Sequence, residues 1–155
     1  MKYTATIYGG FLSLAAILAL SGCTGDGTPT LLPNSDPALR KTSTELAADS
    51  AKRAYEAEAP KGTAAIARAE FNVQDRKFDL ANTSDSDLHD VEVWVNQKYV
   101  VNVPNISKNS SKTLNFELFY DMDGHHFWTD HGKNPVQTLQ IFWQGKMYDV
   151  VATLE

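Results

Sequence analysis

The stretch VEVWVNQKYVVNV, residues 91–103, predicts a β-hairpin and with it the fold. Apolar residues alternate on both sides of a polar centre, which is the period of a strand that buries one face. A three-residue loop at 96–98 puts all the apolar partners on one face, whereas a two-residue turn does not. The expected cross-strand pairs are Val95 with Tyr99, Val93 with Val101 and Val91 with Val103.

The same period of two recurs on both sides of this hairpin. A second hairpin is expected around Gln144-Gly145, pairing Ile141 with Tyr148 and Leu139 with Val150. Other alternating apolar sets are Ala65, Ala67, Ala69, Phe71 and Val73, then Phe78 and Leu80, then Leu114, Phe116 and Leu118. About seven short strands separated by turn signals predict a mainly β protein, an antiparallel β-sandwich over residues 61–155.

One amphipathic α-helix is expected before the sandwich, over residues 36–60. Asp36 is a good N-cap and Pro37 suits the first helical position. Pro60 and Gly62 then end the helix. An apolar stripe recurs at three- or four-residue intervals and consists of Leu39, Leu46, Ala47, Ala51, Ala54 and Tyr55. This thin stripe suits a helix packed on the sandwich, a semi-rigid spacer or a partner-binding helix.

The overall composition excludes several classes of protein. With 43% hydrophobic and 21% charged residues, the chain is neither a multi-pass membrane protein nor a wholly disordered one. Its net charge of −5 argues against nucleic acid or an anionic membrane surface as an electrostatic partner, because both need clustered lysine or arginine.

The N-terminus has the layout of an export signal. Lys2 precedes an apolar stretch, residues 7–20, which as a helix spans about 21 Å. That is short for a bilayer core of about 30 Å. Residues 1–22 are therefore expected to be a removable signal peptide.

Leu20-Ser21-Gly22-Cys23 resembles the lipobox of bacterial lipoproteins. The resemblance implies that the Cys23 thiol accepts a diacylglyceryl group and that cleavage makes Cys23 the new N-terminus. Thr24, rather than Asp, then favours the periplasmic face of an outer membrane where the source has one. Residues 23–35 are expected to be the lipidated cysteine and a flexible tether, since glycines and prolines resist helix and sheet. Cys23 is the only cysteine, so no intramolecular disulfide can form.

The sandwich region also resembles small exported bacterial modules of immunoglobulin or fibronectin type. The resemblance supports the fold and brings no activity with it. It rests on Asn82-Thr83-Ser84, Val91-Glu92-Val93-Trp94-Val95-Asn96, Tyr99, Ile106, Ser110, Phe119, Asp121, Gly124 and Phe127.

A histidine- and aspartate-rich segment, residues 121–131, is the most suggestive cluster for a ligand site. Carboxylates suit Ca²⁺, and imidazoles suit Zn²⁺, Cu²⁺ or Ni²⁺. An EF-hand is disfavoured because Phe119 falls where the first acidic ligand belongs. A polar turn between strands is the favoured alternative. The candidate ligands are Asp121, Asp123, His125, His126, Asp130 and His131.

Aromatic residues offer a second candidate, a stacking surface for a sugar or peptide. Its members are Trp94, Trp128, Trp143, Phe142 and Tyr148. The usual catalytic motifs of hydrolases, phosphate-binding loops and zinc proteases are missing from the sequence. The expected function is a non-catalytic binding or structural module without a cofactor or small-molecule substrate. It is expected to be attached to the cell envelope through lipid on Cys23 and to contact another envelope protein. A metal- or glycan-binding module is the alternative.

Overall fold

A computed structural model describes residues 30–72, 74–127 and 136–154. The expected signal peptide and Cys23 lie outside these residues. Within them the chain contains a short 3-10 helix at Pro37–Leu39, helix α1 at Ser43–Ser50 and a second 3-10 helix at Phe116–Leu118. The eight strands are β1 Ala67–Asn72, β2 Lys77–Asn82, β3 Leu88–Val95, β4 Tyr99–Ile106, β5 Ser111–Asn115, β6 Leu139–Trp143, β7 Lys146–Asp149 and β8 Val151–Leu154.

The strands form two sheets of four. The first sheet has the order β5-β2-β1-β8 and the second has the order β4-β3-β6-β7. All neighbours are antiparallel except β1 and β8, which run parallel. The chain crosses between sheets after β2, β4 and β5, and it changes sheet again at Val150 between β7 and β8. The predicted class is confirmed: the protein is a mainly β, antiparallel-rich sandwich with a preceding helix.

Both predicted hairpins have the expected register. In the first, Val95 pairs with Tyr99 and Val91 with Val103, around a turn in which Asn96 and Gln97 have positive φ. In the second, Ile141 pairs with Tyr148 around Gln144 and Gly145, which both have positive φ. In the second hairpin, positive φ at both residues of the two-residue loop fits a type I′ turn, whose twist matches that of the flanking strands.

The core lies between the sheets and is rich in phenylalanine. Phe78 is fully buried, and its ring centroid lies 5.1 Å from Phe71, 5.7 Å from Phe116 and 5.8 Å from Phe119. Phe127 joins this group through an edge-to-face contact with Phe116 at 5.4 Å. Aromatic pairs in this range add about 0.5–1.5 kcal/mol each beyond the area they bury.

Two predicted strands each have one wrong boundary, the end of β5 and the start of β1. The alternation from Leu114 to Leu118 predicted one strand, but β5 ends at Asn115 and a 3-10 turn follows. This turn lets Phe116 and Phe119 point to the same side, because residues three apart eclipse in a 3-10 helix. At β1, Ala67, Ala69 and Phe71 are buried as expected, whereas Ala65 precedes the strand and is exposed.

The predicted helix over residues 36–60 is wrong in its extent. Asp36 does cap a helix, its side chain accepting from the N–H of Ala38 at 2.9 Å, but that helix is a single 3-10 turn. Helix α1 begins separately because Thr42 and Glu45 form a reciprocal capping box. Thr42 is extended and bridges to Leu31, so a helix cannot run through it.

Helix α1 packs on the sandwich and is not a spacer. Leu46 is buried in the main core, together with Leu39 from the preceding turn. The segment expected to be the end of a flexible tether also packs on the domain: Leu32 contacts the core, and the Asn34 amide donates to the carbonyl of Thr113 at 3.0 Å. Residues 32–34 therefore belong to the packed part of the chain, where a flexible tether was expected.

Candidate functional site

Residues 51–62, here called the covering segment, lie over the outer face of the second sheet. Under them a second apolar cluster forms from Trp94, Val100 and Met147, with Tyr55 and Ala59 packed against it. The Tyr55 and Trp94 rings meet edge to face, with centroids 5.4 Å apart. The sandwich is thus covered by its own N-terminal chain on a face that a sandwich usually exposes.

Polar contacts hold the covering segment in place. The Arg53 guanidinium donates to the Glu92 carboxylate at 2.6 Å and also pairs with Asp49. The Tyr55 hydroxyl donates to the Gln140 side-chain oxygen at 2.7 Å. The sequence did not predict these long-range contacts, because the continuous helix expected over residues 36–60 makes only local pairs.

The proposed aromatic stacking surface is not assembled. Trp94 is 1% exposed beneath Tyr55, so its face is not available to a sugar. Trp143 and Tyr148 are partly buried and contact each other, with ring centroids 6.4 Å apart. Trp128 lies outside the described residues. Among the described members, Trp94 therefore serves packing, whereas Trp143 and Tyr148 keep part of their surface exposed.

Asp121 organises the loop that carries the candidate metal ligands. Its side chain is 2% exposed, and one carboxylate oxygen accepts the backbone N–H groups of Asp123 at 3.0 Å and His125 at 2.8 Å. The other oxygen lies 3.1 Å from the Lys98 ammonium and 3.3 Å from Nδ1 of His125. A buried carboxylate with these partners is stable in its charged form.

The pKa of Asp121 reflects two opposing causes. Burial raises the pKa of this carboxyl, whereas the hydrogen bonds from His125 and Lys98 lower it by more. The net pKa lies below the ordinary value of 3.8. In turn, the hydrogen bond to Asp121 raises the pKa of Lys98 above 10.5. Asp121 is therefore ionised throughout the neutral range.

Three of the six predicted ligands come together. Asp121, Asp123 and His125 each offer an atom within 4.8 Å of the others, and the latter two side chains are exposed. His126 lies on the other side of the chain, its ring 6.0 Å from that of Tyr120. The remaining two, Asp130 and His131, fall outside the described residues.

Among the described residues, three of the four edge strands make hydrogen bonds to another segment of this chain, each through the backbone of one residue. At β4, the N–H of Val100 donates to the carbonyl of Tyr120 at 2.9 Å. At β5, Asn34 donates to Thr113. At β7, the N–H of Gly62 donates to the carbonyl of Met147 at 2.8 Å, and the N–H of Met147 donates to the carbonyl of Pro60 at 2.9 Å. The fourth edge, β8, pairs with no further backbone segment among residues 30–72, 74–127 and 136–154.

Cys23, the predicted lipid attachment site, lies outside the described residues. None of the helices in the described ranges is long and apolar enough to cross a membrane.

Comparisons of this chain with protein-family models, with curated proteins and with solved structures find no match. The class that the fold itself defines is the β-sandwich.

Proposed function

We propose that this protein is a lipid-anchored component of a bacterial cell envelope whose sandwich binds another envelope protein without catalysing a reaction. The observation that carries the proposal is the run Leu20-Ser21-Gly22-Cys23 directly after a charged and then apolar N-terminus. The only thiol of the chain stands at the position where lipid attachment requires one. Two or three acyl chains on one residue hold a protein firmly to a membrane.

Docking of the N-terminal chain on the sandwich supports a short connection to the membrane. Asn34 and Pro33 are held at the β5 edge, since the Asn115 amide donates to the Pro33 carbonyl at 2.8 Å. Only residues 24–30 remain between Cys23 and the packed chain, and they reach at most about 25 Å when extended. The β5 edge therefore stays near the lipid surface.

The contacts of the described residues favour a binding module over an enzyme. The most chemically suggestive group, the Asp121 carboxylate, is used to hold backbone N–H groups and Lys98. The apolar stripe that suited a partner-binding helix is instead buried in the protein's own core at Leu39 and Leu46. Partner binding is therefore assigned to the surface of the sandwich itself.

Lipidation is tested with the Cys23→Ala variant in bacterial cells. We expect the variant to remain an unprocessed precursor without lipid, as measured by intact-protein mass spectrometry and detergent partitioning. Ser21→Ala is the matched control, since it keeps a small residue in the lipobox and should be processed normally. Processing of Cys23→Ala at the same place and rate as the natural chain would refute the anchor.

Metal binding at the 121–125 loop is the second candidate function. The observation in its favour is the approach of three ligand atoms from Asp121, Asp123 and His125. Zinc holds such atoms about 2.0–2.2 Å from itself, so the three ligand atoms, which lie within 4.8 Å of one another, must move closer together when it binds. Calorimetry with Zn²⁺ alone, on the natural protein and on His125→Gln, tests it. Equal heats for both proteins would exclude this site.

A further inference from the structure

Strand β8 stands apart from the other three edge strands. The edges at β4, β5 and β7 each bond to another part of this chain, through Tyr120, Asn34 and the covering segment respectively. Strand β8 pairs with β1 on one side, from Arg68 with Val151 to Phe71 with Leu154. On its other side no backbone partner exists among the described residues. A row of backbone donors and acceptors is thus left at one edge of the first sheet.

The side chains of β8 do not protect this edge. Val151, Ala152 and Thr153 carry no charge, and no proline interrupts them. All three are exposed, Val151 at 56%. Natural sheets protect an open edge with lysine, proline, a bulge or a very short strand, because such an edge otherwise pairs with another chain, and of these devices β8 has only its short length of four residues. Valine and threonine are also residues that favour strands.

The position of β8 suits a partner that approaches from outside. The tether docks at β5, and β8 is the opposite edge of the same sheet, three strand spacings or about 14 Å away. The anchor and the open edge are therefore on different sides of the sheet. A strand added at β8 does not compete with the N-terminal chain for space.

We propose that β8 binds an extended segment of another envelope protein, which adds to the first sheet as a fifth strand. This inference rests on the proposed binding function and names its surface. Main-chain hydrogen bonds supply affinity in such complexes, and alternate side chains supply selectivity. The incoming segment is uncharged, with β-branched or aromatic residues on the face that it shares with Val151 and Thr153.

A second copy of this chain is a poorer occupant of the edge. Four residues of strand bury far less than the about 800 Å² per partner of a stable dimer, so pairing at β8 alone is a transient contact and does not hold two copies together. Two copies, each with a net charge of −5, also repel one another. An extended segment needs only the edge itself, and it can come from a partner of a different charge.

The test is site-specific photo-crosslinking of the full-length, lipidated protein in the cells that make it. The photoreactive residue p-benzoylphenylalanine replaces Thr153, and in a control it replaces Ser111. Ser111 is exposed and lies on the other edge strand of the same sheet, at the edge that Asn34 covers. We expect a covalent adduct at position 153 whose partner peptide, identified by mass spectrometry, is one uncharged stretch of a different protein. The control position should give none.

A lysine variant then tests whether strand pairing causes the adduct. Val151→Lys places a charge on the exposed edge, and we expect about tenfold less adduct from position 153. Ser111→Lys is the matched control and should leave the yield within about twofold, because its edge is already covered. Thermal unfolding of both lysine variants checks that the fold is intact.

Several results would overturn the inference. An adduct between two copies of this chain would replace the assigned occupant by self-association. A yield that Val151→Lys leaves unchanged would show that the contact does not use the edge. If position 153 gives no adduct while formaldehyde still traps a partner, binding at β8 is refuted and the proposed binding function stands. No partner by either method would remove both.

Discussion

Replacing Asp121 with asparagine tests whether its charge organises the loop at residues 121–127. The side chain is 2% exposed and its carboxylate accepts two backbone N–H groups, at 3.0 and 2.8 Å. Asparagine keeps the acceptor oxygen and loses the charge. Hydrogen bonds to a charged group contribute about 1.5–3 kcal/mol and neutral ones about 1 kcal/mol, so two bonds lose about 1–4 kcal/mol. The ammonium of Lys98 is largely exposed, so solvent screens its ion pair with Asp121 and its share of the loss is small.

Desolvation of the charged group offsets part of this loss, which leaves about 1–2 kcal/mol for Asp121→Asn at neutral pH. Asp121→Ala removes the acceptor as well and leaves both N–H groups unpaired, so we expect about 3 kcal/mol or more. Asp123→Asn is the control within the same loop. Its side chain is exposed, and we expect a change within about 0.5 kcal/mol.

The effect should depend on pH in a defined direction. Because the folded-state pKa of Asp121 is lowered from 3.8, the unfolded chain binds the proton more readily. The stabilisation is present above the ordinary pKa and is lost as the pH falls through the lowered one. Urea denaturation followed by tryptophan fluorescence, from pH 7 down to acid, measures it. A difference between the natural protein and Asp121→Asn that is absent at pH 7, or independent of pH, would refute the reasoning.

Two further substitutions test how the covering segment is held. Tyr55→Phe keeps the ring against Trp94 and removes the hydroxyl that bonds Gln140, so we expect a loss of about 1 kcal/mol in denaturant unfolding; no loss would mean that this bond contributes nothing. Gly62→Ala places a methyl group into the Tyr148 ring, and we expect a loss of about 1–3 kcal/mol, measured in the same way. An alanine variant as stable as the natural protein would show that the segment moves aside at no cost.

The strands of both hairpins could be predicted because their signals are local. Val91, Val93 and Val95 face one side as a direct result of the two-residue period, and the loop length then determines the register. Asn96 and Gly145 further mark turns that need positive φ. Such features depend on residues close in sequence, so they can be predicted from the sequence alone.

Other features could not be predicted because they depend on distant partners. Helix α1 ends at Ser50, whose hydroxyl donates to the carbonyl of Leu46 at 3.0 Å and lies 3.4 Å from the carbonyl of Val100 on β4. The chain beyond it leaves the helix so that Arg53 reaches Glu92 on β3. Helical propensity is a weak preference, and long-range contacts of this kind override it. The capping box at Thr42 and Glu45 is a local signal that could have located the start of α1.

The candidate metal cluster also has one part that the sequence predicts and one part that only the fold decides. Its residue types and spacing are visible in the sequence, and three members do come together at Asp121, Asp123 and His125. Asp121 is buried, and its carboxylate binds backbone N–H groups and Lys98. These contacts follow only from the packing of the loop against β4. Burial decides which groups a carboxylate must bind, and burial is a property of the fold.

The sequence by itself determined the sandwich class, the register of two hairpins and the expectation of a lipid at Cys23, since each depends on a short run of residues. The tertiary structure decided which chain segments cover the outer face of the second sheet and which segments contact three of the four edge strands. It also decided that β8 remains open among the described residues. The physical reason is that the segments lying beside a sheet edge come from distant parts of the sequence, and only the folded arrangement brings them together.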